Sequence, residues 1–231
     1  MESICIFGDS IAKGVAFDAA KGKYVRLKDS FVNRMAASGV RVANFSRFGC
    51  TITSGLEILA HSKADLGDYG CVLLEFGGND CDYNWAEVAR DPFAGHVCNT
   101  PIDMFPVHYR AMVDAVVSGG GRPVLLTLPP IDDDRYFAHI SQGLDAGGIM
   151  SFLGTARTIF TWHEKFSDLV ASLAAELSLP LVDLRAGFLA AGGGRDMLCD
   201  DGVHLNSEGH ALAFEILSEA LMGKNGVACE Q

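Results

Sequence analysis

ICIFGDSIAKG, residues 4–14, is the segment from which the architecture of this chain can be worked out. Its four leading apolar residues run directly into Gly8-Asp9-Ser10. A short apolar run ended by glycine is typical of a strand buried on both faces, as in a parallel sheet. In open α/β sheets, ligands bind outside the carboxyl ends of the strands, where Ser10 falls. Taken alone, the segment has two interpretations: Asp9 and Ser10 belong to a functional loop, or they only cap a following helix.

Composition limits the classes of protein to which the chain can belong. Its 231 residues suffice for one large domain or two small ones. Apolar residues make up 49% of the chain and charged residues 20%, which allows a full core and argues against disorder. With 18 basic and 29 acidic residues, the net charge is −11. Such a surface repels nucleic acid and anionic membranes, so we expect neither as a partner.

The cysteines and the N-terminus indicate a compartment. The seven cysteines are odd in number and contain no C-x-x-C pair: Cys5, Cys50, Cys71, Cys81, Cys98, Cys199 and Cys229. This favours free thiols in a reducing compartment over a disulfide framework or a zinc site. The residues before the first apolar run lack the basic region of a signal peptide, and no segment has the length of a membrane span. We therefore predict a soluble, cytoplasmic protein without membrane insertion.

Short apolar runs alternate with helical patterns along the whole chain. The strands are predicted over residues 4–7, 40–45, 71–76, 123–128 and 181–184. The helices are predicted over residues 27–37, from Thr51 or Thr53 to 60, 106–118, 157–177, and after Asn206 or Ser207. This alternation predicts an α/β fold in which a parallel sheet of about five strands has helices on both faces. Since no repeat or linker divides the chain, residues 1–231 are interpreted as a single domain.

Two connections, residues 81–104 and 129–155, exceed the usual loop length, and such loops are more often functional than idle. Whether they act as a lid is open at this point. Several aromatic residues lie in or beside them: Trp85, Phe93, Phe105, Tyr136, Phe137, Phe152 and Trp162. These rings either line an acyl or leaving-group pocket or form a small core of the connections themselves.

Four polar segments are expected to converge at one edge of the sheet. Ser10, Gly49 and Asn79 follow the first three predicted strands, and a loop with Asp201 and His204 precedes the last helix. A serine hydroxyl is a weak nucleophile until a base removes its proton, and histidine is the usual base. Asp201, three residues before His204, can orient the imidazole. The backbone N–H groups of Ser10 and Gly49 and the amide of Asn79 are suitable donors to an oxyanion.

These segments resemble the four blocks of the SGNH, or GDSL-type, esterase and acylhydrolase family, in the family's order. The blocks are Gly8-Asp9-Ser10-Ile11 with Gly14, Asn44 with Gly49, Gly77-Gly78-Asn79-Asp80, and Asp201-Gly202-Val203-His204. The resemblance implies a flavodoxin-like three-layer α/β/α sandwich and a serine hydrolase that needs neither metal nor cofactor. It implies that Ser10 is the nucleophile, His204 the base and Asp201 its orienting acid, with Ser10, Gly49 and Asn79 as the oxyanion hole. The second block departs from the pattern, because Ser46 stands where the family often has glycine.

Other polar residues have plainer interpretations. Asp200 competes with Asp201 as the partner of His204, but the three-residue spacing favours Asp201. Asp9 and Asp80 are expected to bond backbone around the site, as loop aspartates usually do. The remaining histidines are expected to be structural or exposed: His61, His96, His108, His139, His163 and His210.

The acidic triplet at residues 132–134 contains carboxylates, which suit a hard cation. It lacks the alternating spacing and the glycine of a calcium loop. We therefore interpret it as a solvated acidic turn and predict no metal site.

The expected function is hydrolysis of a carboxylic ester through an acyl-enzyme, with a short acyl group, such as acetate on a carbohydrate or small alcohol. A lysophospholipase or thioesterase with the same triad is one alternative. A non-catalytic flavodoxin-like domain that binds an anionic ligand is another, and it would have no need of Asn79 or His204. The expected partner is a small-molecule acyl ester, and the sequence does not indicate an oligomeric state.

Overall fold

The computed structural model describes residues 3–223, and these contain a five-stranded parallel sheet and a two-stranded antiparallel hairpin. In chain order the strands are β1 Ser3–Gly8, β2 Val15–Asp18, β3 Lys23–Arg26, β4 Arg41–Asn44, β5 Cys71–Glu75, β6 Pro123–Leu126 and β7 Leu181–Val182. The sheet order is β4-β1-β5-β6-β7, with every neighbouring pair parallel. Counted among the sheet strands alone, this order is 2-1-3-4-5, that of flavodoxin-like folds. The predicted fold class is confirmed.

Helices cover both faces of this sheet. They are α1 Ser10–Lys13, α2 Phe31–Ala37, α3 Ile52–His61, α4 Trp85–Arg90, α5 Phe105–Ser118, α6 Asp133–Ile140, α7 Ala146–Leu153, α8 Arg157–Glu176, α9 Leu184–Ala190 and α10 Ser207–Met222. The side chains of Thr51 and Asn206 cap α3 and α10 by accepting from backbone N–H groups of the first turn.

The apolar residues of β1 alternate between two cores. Cys5 and Phe7 pack in one core with residues of α3, α5 and α8. Ile4 and Ile6 pack in the other with residues of α2, α9 and α10. Because successive side chains of a strand point to opposite faces, a continuous apolar run is what a sheet covered on both sides requires. The result is the predicted three-layer sandwich.

The sheet brings the ends of β1 and β5 together at the edge where the polar segments gather. Gly8 lies opposite Glu75 in the register of these strands. A Cβ added at Gly8 would lie 2.8 Å from the carbonyl oxygen of Glu75 and 2.9 Å from the Cβ of Ala12. Glycine at this position therefore lets the chain leave the sheet tightly and place Ser10 beside the end of β5.

Several boundaries differ from those predicted. The helix predicted from residue 27 begins at Phe31, because Ser30 caps it by accepting from the N–H of Asn33. The strand predicted over 181–184 ends at Val182, since Asp183 caps α9, a helix that the prediction missed. The hairpin of β2 and β3 was also missed, because four-residue strands with charged residues carry too short a pattern.

The two long connections are not entirely irregular, since α4 lies in the first of them and α6 and α7 lie in the second. Their apolar residues form a third, smaller core with the first turn of α8. Cys5, Cys50, Cys81, Cys98 and Cys199 are buried and reduced, and Cys229 lies outside the described residues. Within residues 3–223, no helix combines the length and the apolar character needed to cross a bilayer.

Candidate active site

Ser10 is the first residue of α1 and is separated from the end of β1 by Asp9 alone. Asp9 caps this helix by accepting from the N–H of Ile11 at 2.8 Å, so the capping interpretation of the motif is correct for Asp9. The Ser10 hydroxyl has another role, because its Oγ lies 2.8 Å from Nε2 of His204. The sheet thus brings together two side chains that are 194 residues apart in sequence.

His204 is held on its other side by Asp201. Its Nδ1 lies 2.6 Å from Oδ2 of Asp201, whose Oδ1 accepts from the N–H groups of Val203 and His204. A carboxylate can only accept, so Nδ1 of the neutral imidazole carries the hydrogen and Nε2 accepts from the Ser10 hydroxyl. This is the arrangement in which histidine removes a proton from serine. Asp200, the competing candidate, is exposed.

Electrostatics keep Asp201 charged. Burial raises the pKa of its carboxyl group, but the hydrogen bond and charge of His204, together with the backbone N–H groups of Val203 and His204, hold the pKa below its ordinary value. An ionised Asp201 is the partner that would stabilise an imidazolium at His204.

The loop that carries Asp201 and His204 is fixed against α6. Gly202 has a φ of +76°, and a Cβ there would lie 2.6 Å from both the carbonyl oxygen of Asp132 and the backbone nitrogen of Tyr136. The carbonyl oxygen of Gly202 also accepts from the N–H of Asp132 at 2.8 Å. Both the positive φ and the close approach require glycine, so this residue sets the position of the loop.

Two of the three expected oxyanion donors line the same cavity, and the third lines a neighbouring cleft. Ser10 and Asn79 line one cavity of about 230 Å³ together with His204. The Asn79 side chain donates through Nδ2 to Oδ2 of Asp9 at 2.8 Å, which fixes its amide orientation and leaves its second hydrogen for a ligand. Gly49 has a φ of +69° and lines a neighbouring cleft, while Phe48 beside it lines the cavity of Ser10.

Asn44 ties the second block to the first. Its Nδ2 donates to the carbonyl oxygen of Ala12 at 2.8 Å, and its Oδ1 accepts from the N–H of Ser46 at 2.9 Å. Lys13 also donates to the carbonyl oxygen of Ser46. The serine that replaces the family's usual glycine is therefore accommodated, with its hydroxyl buried and unpartnered within residues 3–223.

A buried pair of carboxyl groups lies directly behind the serine. Glu75 accepts through Oε2 from the N–H groups of Asp9 and Ala12, each at 3.3 Å. Burial, and then the charge of Asp9, raise the pKa of Glu75 well above its ordinary value. Burial also raises the pKa of Asp9. Glu75 is therefore the member of the pair that keeps its proton, which limits the negative charge near the expected oxyanion.

Asp80 behaves as expected for a loop aspartate. Its Oδ1 accepts from the backbone N–H of Ile52 at 3.0 Å and from the hydroxyl of Thr100 at 2.6 Å. Burial raises its pKa to about 6. It joins the loop after β5 to the start of α3, and it supports the position of Asn79.

Sequence reasoning missed two aromatic residues beside the ring of His204. The ring of Phe48 is stacked on His204 with centroids 6.0 Å apart, and the ring of Tyr24 lies 5.0 Å from it. The Tyr24 hydroxyl is 3.0 Å from Nε2 of His139. Both rings are partly exposed at the mouth of the Ser10 cavity. No sequence pattern predicted the hairpin that carries Tyr24. Phe48 could have been noticed, because it lies within the second block, next to Gly49.

The aromatic residues of the long connections divide between a second cavity and the apolar cores. Trp85, Tyr136, Phe152 and Trp162 line a second cavity of about 130 Å³. Phe137 packs on the small third core, and Phe105 is instead part of the main core. Phe93 is 86% exposed and lines neither cavity.

Asp132 of the acidic triplet is bound internally, which corrects the expectation of a solvated turn at that residue, whereas Asp134 is exposed as expected. Asp132 is buried, caps α6 and accepts from Arg195 at 2.6 and 2.9 Å. Arg195 also reaches Asp134 at 3.3 Å. Oxygen atoms of the triplet lie within 4.8 Å of one another, but arginine already compensates their charge. The hydrogen bond and charge of Arg195 lower the pKa of Asp132.

The GDSL-like Lipase/Acylhydrolase family model matches residues 6–212. The chain belongs to this family. Its members hydrolyse esters, and this protein is accordingly an ester hydrolase. No curated protein matches the sequence.

Solved structures share the fold along nearly the whole chain. A lipase/acylhydrolase from Enterococcus faecalis has a TM-score of 0.68 and 21% identity, covering 97% of each chain. A catalytic mutant of an acetylxylan esterase from Geobacillus stearothermophilus has a TM-score of 0.63 and 18% identity, covering 94% of this chain and 93% of that one. An extracellular lipase from Streptomyces rimosus has a TM-score of 0.62 and 17% identity, covering 96% and 100%. At these identities, the likeness concerns the fold.

Proposed function

We propose that this family member is a serine carboxylesterase that acts through an acyl-enzyme, with Ser10 as nucleophile, His204 as base and Asp201 as orienting acid. The observation that carries the proposal is the continuous line of hydrogen bonds from Ser10 Oγ through His204 to Asp201, at 2.8 and 2.6 Å. Nucleophile, base and orienting group are within the distances that proton transfer requires.

The first half-reaction forms the acyl-enzyme. Ser10 Oγ attacks the ester carbonyl carbon as Nε2 of His204 takes the hydroxyl proton. The tetrahedral intermediate places a negative charge on the former carbonyl oxygen, which needs donors already in position. When the C–O bond to the alcohol breaks, His204 returns the proton to the departing oxygen.

The second half-reaction restores the enzyme. Water loses a proton to His204 and attacks the acyl carbon, and Ser10 leaves with that proton as the carboxylic acid is released. We assign the N–H of Ser10 and the free amide hydrogen of Asn79 as oxyanion donors. Gly49 is the third proposed donor, on the resemblance of the second block to its family.

A short acyl group, such as acetate on a carbohydrate or small alcohol, is the proposed substrate class. The Ser10 cavity of about 230 Å³ is small for a long acyl chain, and aromatic rings at its mouth suit the face of a sugar. We keep the expected cytoplasmic location, with a small-molecule ester as partner, as part of the proposal.

The test is hydrolysis of p-nitrophenyl esters from acetate to laurate by the unsubstituted enzyme and by Ser10→Ala. We expect activity that is highest for the short esters and is lost in Ser10→Ala without a change in melting temperature. A preference for laurate would instead indicate a lysophospholipase or long-chain thioesterase. Equal activity in Ser10→Ala would overturn the nucleophile assignment.

A further inference from the structure

The second cavity, lined by aromatic residues of the long connections, adjoins the cavity of Ser10. The residues that line both cavities are Gly78, Asp82, Ile131, Tyr136, His163 and Val203. Gly78 precedes Asn79 and Val203 precedes His204, so the shared wall stands directly beside the proposed catalytic groups. The second cavity is therefore close enough to Ser10 to hold a group attached to an ester bound there.

The volume and lining of the second cavity favour a compact apolar group. It measures about 130 Å³, and an apolar cavity of roughly 150 Å³ accommodates benzene. Trp85, Phe152, Leu153, Ile159 and Trp162 supply most of its apolar wall. An aromatic ring or a short branched chain fits this space, and a long acyl chain does not.

Polar groups of the lining are mostly bonded within the protein. Asp82 accepts from Nε1 of Trp85 at 2.7 Å, and Thr158 donates to the carbonyl oxygen of Leu153 at 2.7 Å. The Cys81 thiol faces the carbonyl oxygen of Gly78 at 3.2 Å. These groups close the cavity without offering a ligand a strong new partner.

His163 is different, because one of its ring nitrogens remains available. It is 6% exposed, and its Nδ1 lies 3.5 Å from a guanidinium nitrogen of Arg185, a group that only donates. Arg185 is in turn held by Glu164 at 3.3 Å. Burial, and then the charge of Arg185, lower the pKa of His163 to about 3, so the ring is neutral near pH 7. Nδ1 is therefore the acceptor, Nε2 carries the hydrogen, and it has no acceptor among residues 3–223.

We propose that the second cavity is a subsite for a compact apolar group of the substrate, and that Nε2–H of His163 donates a hydrogen bond to an oxygen of that substrate at the cavity mouth. This inference rests on the proposed esterase function for its kinetic consequences. The preferred substrate is then an ester with an aromatic ring or short branched chain on its acyl or its alcohol side.

A binding experiment tests the subsite without any catalysis. The chain has two tryptophans, and both Trp85 and Trp162 line the second cavity, so their fluorescence reports its occupancy. Phenylacetamide, which has a ring and an oxygen acceptor, is titrated into Ser10→Ala, with acetamide as the ligand lacking the ring. We expect a saturable change with phenylacetamide and none with acetamide at equal concentration. No change with phenylacetamide overturns the subsite.

The role of His163 is tested in the same assay with toluene, which keeps the ring and lacks the oxygen. We expect His163→Phe to weaken phenylacetamide binding by about threefold to tenfold, the usual range for one hydrogen bond, and to leave toluene binding unchanged. His163→Gln keeps a neutral donor and should restore part of the loss. Equal losses for both ligands would show that His163 acts only through packing.

Steady-state kinetics show whether the acyl side or the alcohol side of the ester occupies the second cavity. Ethyl phenylacetate has its ring on the acyl side and phenethyl acetate on the alcohol side. Filling the cavity with Leu153→Trp should lower kcat/KM for one of them at least tenfold relative to ethyl acetate, and that ester identifies the side. The matched control is Leu189→Trp, the same substitution at an exposed position of α9.

These experiments distinguish failure of the proposed esterase function from failure of the proposed subsite. If the unsubstituted enzyme hydrolyses no ester but Ser10→Ala binds phenylacetamide, the proposed function fails and the subsite stands. If hydrolysis proceeds and Leu153→Trp, folded by its melting temperature, leaves both selectivity ratios unchanged, the subsite fails and the esterase stands. If Leu153→Trp does not fold, the fluorescence titration alone decides.

Discussion

The Ser10 cavity and the second cavity beside it are held together by different kinds of interaction. On one side, Ser10, Asn79 and His204 stand at strand ends or in a clamped loop, and hydrogen bonds of 2.6–2.8 Å fix them. On the other side, residues of α4, α7 and α8 enclose the second cavity mainly by apolar packing. Directional bonds fix reacting atoms, whereas apolar packing adapts to shape. The difference suggests that the sheet edge provides the chemistry and the long connections select the substrate.

The largest expected effect on the catalytic side comes from substituting Asp201, with the neighbouring Asp200 as a control. In Asp201→Asn the amide oxygen stays with the N–H groups of Val203 and His204, so the amide NH₂ faces Nδ1 of His204 and favours the wrong tautomer. The substitution should lower kcat by roughly 10⁴-fold, as loss of an orienting carboxylate does in serine proteases. Asp200→Asn is the matched control and should retain kcat within about twofold. Steady-state kinetics and melting temperatures of both variants are measured. Comparable losses in the two variants would contradict the choice of acid.

Asn79 is the next largest expected effect on the catalytic side. Asn79→Ala removes an oxyanion donor and should lower kcat by about 10²–10³-fold with little change in KM. Asn99→Ala serves as control, because Asn99 donates to the carbonyl oxygen of Asn79 and supports only the loop. If the two variants lose activity equally, Asn79 acts through loop structure rather than through its amide.

The strands of the sheet, and the polar residues at their ends, could be predicted from sequence patterns for physical reasons. Apolar runs such as residues 4–7 have one stable location, a strand covered on both faces. Parallel strands then oblige their carboxyl ends to meet, so Ser10 and Asn79 could be placed on one edge without coordinates. The distance from Ser10 to His204 and the position of β1 between β4 and β5 followed only from the structure.

The side formed by the connections was much less predictable. Whether Trp162 or Phe152 faces a cavity depends on how α7 and α8 pack, and no local pattern encodes that packing. The contact of His163 with Arg185, 22 residues away along the chain, is likewise not encoded in any local pattern. Phe48 and Tyr24 likewise reach His204 from separate elements. Asp132 was wrongly predicted to be solvated, because its partner Arg195 is 63 residues away along the chain.

Glu75 offers a smaller test, through the pH dependence of stability. Its pKa is raised in the folded protein, so the native state keeps a proton that the unfolded chain releases above its ordinary pKa of 4.5. The native state therefore loses stability as pH rises through this range. Glu75→Gln resembles the protonated side chain and cannot ionise. We expect it to retain most activity and to gain melting temperature relative to the unsubstituted protein between about pH 5 and pH 8.

The matched control for this test is Glu57→Gln, which removes a carboxyl group from an exposed position of α3. Its melting temperature should follow that of the unsubstituted protein across the same pH range. If the difference for Glu75→Gln stays constant or shrinks as pH rises, Glu75 is already ionised in the fold.

Covalent labelling of Ser10 is the most direct measurement of whether this site is a working serine nucleophile. The unsubstituted protein, Ser10→Ala and Asp201→Asn are treated with a fluorophosphonate and analysed by peptide mass spectrometry. We expect one adduct on Ser10 in the unsubstituted protein, none in Ser10→Ala, and much slower labelling in Asp201→Asn. An unlabelled but folded protein, or an adduct that persists in Ser10→Ala, would contradict the assignment of Ser10 as the nucleophile.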